Sequence, residues 1–526
     1  MTELDRRALL RAGMLLPAAA ALAACSTAQP ARRLTGAGGE LAREAVRPRP
    51  AAGDVHTVSL TATAGQVDLG GPVVRTWTYG GLVPGREIRV RRGDVITGRL
   101  ANMLPVPTTI HWHGLAVPNG MDGVPGVTQP AVAPGHGFSY RFTADTPGTY
   151  WFHPHVGTQL DRGLYGPLIV EDPAEPAAYD HDWVVVLDDW IDGTGHTPAQ
   201  VLALLRRGMR GMGHSRATGG MGNMGTGGMG TDGVGAGGTN MGGAGGGEPA
   251  SAGPLLMDAS SPLLGGDAGD VRYPYYLVNG RCPTAPQTFR ALPGQRARIR
   301  FINAGGDTSF RVALGGHRML VTHTDGQPVA PVETDALLIG MGERYDVIVA
   351  LADGVFPLTA VAEGKRAVGR ALVRTGSGAT PPAADRPDEL SGRLIGYAEL
   401  QPAPGTALAA STPDEVHTLD LTGGMARYDW GINGKSYDPR GRVRVQRGDR
   451  VRVSFRNRTT MYHPMHIHGH TFQINGTGPR KDTVIVLPGQ TVTCDFDAVN
   501  PGRWMTHCHN IYHAEAGMMT ILSYHA

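Results

Sequence analysis

The chain of 526 residues repeats itself over a long interval, and histidine pairs carry the repeat. Arg92-Gly-Asp94 precedes Ile110-His-Trp-His-Gly114, with 18 residues from Gly93 to His111. Arg447-Gly-Asp449 precedes Met465-His-Ile-His-Gly469, again with 18 from Gly448 to His466. Pro147-Gly-Thr-Tyr-Trp-Phe-His153-Pro-His155 matches Pro501-Gly-Arg-Trp-Met-Thr-His507-Cys-His509, and the second pair follows the first by 42 residues in one copy and 41 in the other. The copies are offset by 355 and then 354 positions, which leaves room for a third between them. Its traces are Tyr276-Leu-Val-Asn-Gly280, Leu292-Pro-Gly-Gln295 and Arg296 to Asn303, which echo Trp430-Gly-Ile-Asn-Gly434 and the stretch from Asp449 to Asn457. Where histidines are due, 18 residues after Gly294, stands Phe310-Arg-Val-Ala-Leu314. The pattern predicts one scaffold used three times and armed twice.

Short runs within each copy alternate apolar and polar residues, as in Val451-Arg-Val-Ser-Phe455 and Ala297-Arg-Ile-Arg-Phe301, with Gly, Pro, Asn and Asp between them. Such runs predict the strands of antiparallel sandwiches. The 77 glycines, 39 prolines and 6% aromatic content also favour many short strands over long helices. The length allows two to four domains. A formal net charge of +2 gives no reason to expect nucleic acid or an acidic partner. The four cysteines, Cys25, Cys282, Cys494 and Cys508, are too few for a disulfide framework.

Side chains on a strand alternate faces. In His507-Cys508-His509 the two imidazoles face one way and the thiol the other, so one strand can serve two metal sites. His111-Trp-His113, His153-Pro-His155 and His466-Ile-His468 share the spacing, giving eight imidazoles in four pairs. Satisfied core histidines and a small buried cysteine explain any one of these stretches. Four matched pairs, one wrapped around a cysteine, point instead to metal. Beyond Cys508 come His513 and Met518, and His463 lies three residues before His466. One thiolate, two imidazoles and a thioether are the ligand set of a blue-copper centre.

In these motifs the chain resembles the three-domain multicopper oxidases over nearly all of its mature length. The resemblance implies an all-β chain of three cupredoxin-like Greek-key β-sandwich domains. Residues 51–175 would carry trinuclear-site ligands, 176–380 none, and 381–526 both type 1 and trinuclear-site ligands. Four copper ions would be the cofactors. His463, Cys508 and His513 would hold the type 1 copper with Met518 axial, His111 and His466 the type 2 copper, and His113, His153, His155, His468, His507 and His509 the type 3 pair. Electrons would enter singly at type 1 copper and pass along the Cys508 strand to reduce dioxygen to water. Asp122, in Asn119-Gly-Met-Asp-Gly-Val-Pro125, matches the family's acid for proton supply, although Asp before Gly also builds turns. A second acid usually follows the last type 1 histidine in bacterial members; here Ala514 stands there and Glu515 comes next. A copper nitrite reductase lacks the type 3 pair that the four His-x-His pairs supply, and the complete ligand set argues against a non-enzymatic copper-binding protein on the same scaffold.

Residues 208–247 hold nineteen glycines and six methionines, Met209, Met212, Met221, Met224, Met229 and Met241. A flexible linker would use Ser and Thr; thioethers are soft ligands that suit Cu(I). Met461, two residues before His463, matches a substrate-copper methionine of the bacterial cuprous oxidases, whose acidic partner is Thr459 here. The expected reductants are therefore Cu(I) and small phenols, with a laccase-like phenol oxidase as the alternative, and the likeness is greatest to the exported actinobacterial copper-resistance oxidases. Residues 1–25 read as an export signal too short to span a bilayer. Arg6-Arg7 resembles a twin-arginine signal with Asp5 where Ser or Thr is usual, and Leu22-Ala-Ala-Cys25 resembles a lipoprotein cleavage box. The expected location is extracytoplasmic, lipid-anchored at the outer face of the cytoplasmic membrane, with residues 26–50 as a tether. Cys282 and Cys494 remain a candidate disulfide pair.

Overall fold

The computed structural model describes residues 53–175, 179–207 and 253–525. Residues 1–52, with the signal and tether, and the six methionines of 208–247 lie outside them. The described residues form three successive two-sheet sandwiches and two α-helices, Pro198–Arg206 and Ile511–Ala516. No helix among them is long and apolar enough to cross a membrane.

The three sandwiches share one order over four strands of each sheet. In the last, one sheet runs Gly431–Ile432, Glu415–Thr422, Arg450–Asn457, Thr491–Asp497, and the other runs Arg442–Gln446, Met519–His525, Arg503–Cys508, His463–Ile467. The middle one repeats this with Tyr275–Val278, His181–Trp190, Arg296–Asn303, Arg344–Ala350 against Thr288–Arg290, Ala367–Arg374, Val355–Ala362, Phe310–Leu314. The cross-strand register makes the equivalence specific. His111 pairs with His153, His466 pairs with His507, and in the middle sandwich Val312 pairs with Ala360. The same two strands lie side by side in all three, and the middle pair carries no imidazole.

One expectation needs correction. The sheets are mixed rather than purely antiparallel: Val55–Asp68 pairs parallel with Val95–Asn102, and Glu415–Thr422 parallel with Arg450–Asn457. The chain visits the opposite sheet at Ile88–Arg91, or Arg442–Gln446, before returning, and a crossover of that kind brings the next strand back in the same direction. The polar residues inside the strand Arg296–Asn303 are buried rather than solvated. Arg298 and Arg300 are 2% exposed and both reach Asp346 Oδ2, at 2.6 and 3.0 Å. Thr149, from the first sandwich, donates to Asp346 Oδ1 at 2.7 Å and accepts from Arg300. Removing one partner of a buried ion pair costs about 3–5 kcal/mol, so these contacts commit the first two sandwiches to each other. Cys282 and Cys494 are both buried free thiols in different sandwiches, which resolves the candidate disulfide against a bond.

Candidate metal centre

The histidine pairs sit at the ends of neighbouring strands in the first and last sandwiches, and their imidazoles meet between the two. Three groups of three lie with their ring nitrogens within 4.8 Å of one another: His111, His113 and His466; His113, His153 and His509; His155, His468 and His507. A fourth group, His463, Cys508 and His513, meets the same limit inside the last sandwich. Cys508 Sγ is 3.7 Å from His463 Nδ1 and 3.8 Å from His513 Nδ1. Strand alternation acts here as expected. Cys508 joins the group within its own sandwich, while His507 and His509, on either side, each join a group shared with the first.

Four of the rings are held from behind by backbone carbonyls. His111 Nδ1 lies 3.0 Å from the Asp122 carbonyl, His153 Nδ1 2.8 Å from that of Pro154, His466 Nδ1 2.8 Å from that of Asp482, and His507 Nδ1 2.8 Å from that of Cys508. Oxygens behind the ring claim one nitrogen and leave the other facing inward, as metal-ligating histidines require. The inward atoms His111 Nε2, His113 Nδ1, His153 Nε2 and His466 Nε2, and both His509 nitrogens, are buried without a hydrogen-bond partner. In the remaining group His468 Nε2 and His507 Nε2 face each other at 3.0 Å. Burial first, and then neighbouring imidazoles, push His113, His153, His155, His468, His507 and His509 well below the ordinary histidine value. They are neutral rings with free lone pairs, the form that binds metal. Convergent buried lone pairs with no protein donor fit a bound cation.

Asp122 is fully buried, with its carboxylate 3.0 Å from His468 Nδ1 and 3.1 Å from His111 Nδ1. Glu515 is half-buried and lines a cleft with His153, His155 and His507. Burial raises its carboxyl, against the nearby Arg206. Met518 is buried, and its backbone is tied to two members of the cysteine group: its carbonyl accepts from Cys508 N–H and its N–H donates to the His513 carbonyl, both at 3.0 Å. Met461 is fully buried too, bridged to Asp267, so it meets a substrate ion only if that cover moves.

Sequence reasoning missed the carboxylates and hydroxyls behind the rings. His513 Nε2 donates to Asp270 Oδ2 at 3.0 Å, which also accepts from Tyr428. Thr459 Oγ1 lies 2.8 Å from His463 Nε2. Asp482 Oδ1 lies 3.1 Å from His113 Nε2. None of these residues has a repeated spacing; the only signal was Thr459, noted as a departure from an acidic position.

Known proteins resemble this chain in sequence and in fold. Family models described as multicopper oxidase match residues 61–175, 249–376 and 411–525. The chain is 47% identical to Multicopper oxidase MmcO of Mycobacterium tuberculosis over 99% of this chain and 97% of that one. It is 29% identical to a Copper resistance protein A homolog of Pseudomonas syringae pv. tomato over 87% of this chain and 90% of the relative. A solved multi-copper oxidase from Pseudomonas thermotolerans superposes with a TM-score of 0.64 at 26% identity, covering 90% of this chain and 100% of that one. Likeness of that degree along almost the whole chain makes this protein a member of the multicopper oxidases, oxidoreductases whose metal is copper.

Proposed function

We propose that the protein oxidises Cu(I), with small phenols as secondary reductants, and passes the electrons to dioxygen. His463, Cys508 and His513, with Met518 as a further ligand, would hold type 1 copper; His111 and His466 type 2; His113, His153 and His509, and His155, His468 and His507, one type 3 ion each. Copper at these four places would supply one-electron exchange at the cysteine and four-electron reduction of dioxygen to water at the histidine groups. The chain's own contribution is connection, orientation and protons. Cys508 is bonded through the backbone to His507 and His509, and the His507 Nδ1–H bond to the Cys508 carbonyl at 2.8 Å adds a second link between the sites. Asp122 keeps the His468 and His111 rings turned inward and is the proposed proton store; Glu515, in the cleft beside His155, is the second.

The observation that carries the substrate is the sealed edge of the cysteine group. His463 and His513 are 0% exposed and their outer nitrogens are occupied by Thr459 and Asp270, so a phenol ring meets no imidazole edge directly and is the slower reductant. Asp267 is half-buried beside Asp270; burial, and then the Asp270 charge, raise it to about 6. Carboxylates beside the cysteine group suit a cation. The described residues flanking the methionine-rich segment reach this same edge: Arg206 donates to the Glu515 carbonyl, and Leu256 N–H to the Asp270 carbonyl at 2.8 Å. Thioethers of Met209, Met212, Met221, Met224, Met229 and Met241 would gather the soft ion nearby. Export by the twin-arginine route and a lipid anchor at Cys25 complete the proposal, since copper detoxification needs the oxidase where the metal enters.

Replacing the six methionines with Ser should raise the KM for Cu(I) by about tenfold, a loss of about 1.4 kcal/mol of capture, and leave phenol oxidation unchanged. Oxygen uptake with each reductant checks it; an unchanged KM for Cu(I) makes the segment a linker and favours a laccase-like role. Met518→Leu should raise the type 1 potential by removing a sulfur donor. A redox titration with no rise would transfer the ligand role away from Met518.

A further inference from the structure

The middle sandwich holds none of the proposed ligands, yet one of its side chains reaches the histidine groups through a single intermediary. Arg344 opens the strand Arg344–Ala350 and is 0% exposed. Its Nη1 and Nη2 each donate to one oxygen of Asp482, both at 2.7 Å, and its Nε donates to the Thr149 carbonyl at 3.0 Å. One guanidinium thus joins all three sandwiches. Asp482 then touches two rings: Oδ1 is 3.1 Å from His113 Nε2, and its carbonyl is 2.8 Å from His466 Nδ1. The two rings stack at 3.9 Å with 13° between their planes.

His113 is the odd member of its group. His111, His153 and His466 leave Nε2 inward, whereas His113 leaves Nδ1, because Asp482 and Thr483 claim its Nε2. The orientation of His113 therefore depends on where the Asp482 carboxylate points. A two-toothed guanidinium fixes the plane of a carboxylate in a way a point charge does not. The surroundings are built to hold that fork. Asp325, also from the middle sandwich, accepts the Arg344 N–H at 2.8 Å and the Asp482 and Thr483 N–H groups at 3.2 and 3.1 Å. The glycine that ends Ile110-His-Trp-His-Gly114 is explained as well. A Cβ at Gly114 would lie 2.4 Å from Arg344 Nη2 and 2.6 Å from Asp482 Oδ2, so any side chain there would displace the pair.

We infer that Arg344 is a positioning residue for the histidine groups, acting through Asp482 to set the His113 and His466 rings for copper. The inference rests on the ligand assignment proposed above. Its test uses Arg344→Gln in the full, copper-loaded chain, followed by copper content, the type 2 paramagnetic resonance signal, the near-ultraviolet band of the type 3 pair, the blue band, and kcat and KM for Cu(I). Outer partners of ligating residues are typically worth about 10–100-fold in metal affinity or activity. The expected result is a fall in kcat of about that size, with altered type 2 and type 3 signals, while the blue band and KM stay as in the unaltered protein. Unchanged type 2 and type 3 signals with unchanged kcat would overturn the inference, and so would a blue band lost in step with them, which marks general damage. Should Arg344→Gln not fold, Arg344→Lys keeps the charge and loses the fork. It should shift the type 2 signal in the same direction, and an unshifted signal overturns the inference equally. Absence of a type 2 signal from the unaltered protein would instead sink the ligand assignment.

Discussion

Copper-loaded Cys508→Ser protein will be colourless where the unaltered protein is blue, and its oxidation of Cu(I) and of phenols will fall to background. The intense visible band of such a centre comes from charge transfer between thiolate sulfur and copper, and a serine oxygen is too hard and too weakly ionised to replace it. The substitution is nearly isosteric in a fully buried position, so the sandwich should still fold. His509→Ala makes the contrast. His509 belongs with His113 and His153 and not with the cysteine group, so that variant should stay blue, accept electrons from a reductant, and fail to consume oxygen. Visible absorption and oxygen uptake on the two proteins decide the matter; a Cys508→Ser protein that kept its colour would refute the role given to the thiolate.

Asp122→Asn should lower oxygen turnover by about 10²-fold or more, within the span usual for loss of a positioned acid or base. The carboxylate faces two imidazole N–H groups, at His468 and His111, and an amide offers an acceptor to only one of them while losing the exchangeable proton. Asp122 lies among the histidine groups shared with the first sandwich, so anaerobic bleaching of the blue band by Cu(I) should keep its rate. Turnover with oxygen as fast as in the unaltered protein would show that Asp122 is only a turn former after Pro118.

Much of the metal centre was legible because ligand chemistry restricts residue type and strand geometry restricts spacing. His111, His466 and the Val312 position of the middle sandwich all lie 18 residues after a turn glycine, and the structure puts each in the same cross-strand pair. The groups behind the rings left no such trace. Asp482 sits in Arg480-Lys-Asp-Thr483, a stretch that reads as polar surface, and Asp270 follows the methionine-rich segment with no periodicity around it. Their meaning arises only when another sandwich brings a ring to them. The alternation in Ala297-Arg-Ile-Arg-Phe301 identified a strand correctly but not the face, since an arginine buried against Asp346 looks the same in sequence as one in water. Which strand neighbours which, and hence the parallel pairs, is likewise invisible to a pattern of period two.

The histidine groups draw on strands separated by hundreds of residues, and this bears on when the enzyme can acquire its metal. A chain halted before residue 466 holds two members of one proposed type 3 group, His113 and His153, and a single member of the other, His155. No product of synthesis that stops short of His507 can close either of these groups, so copper loading at them would report on a nearly finished chain.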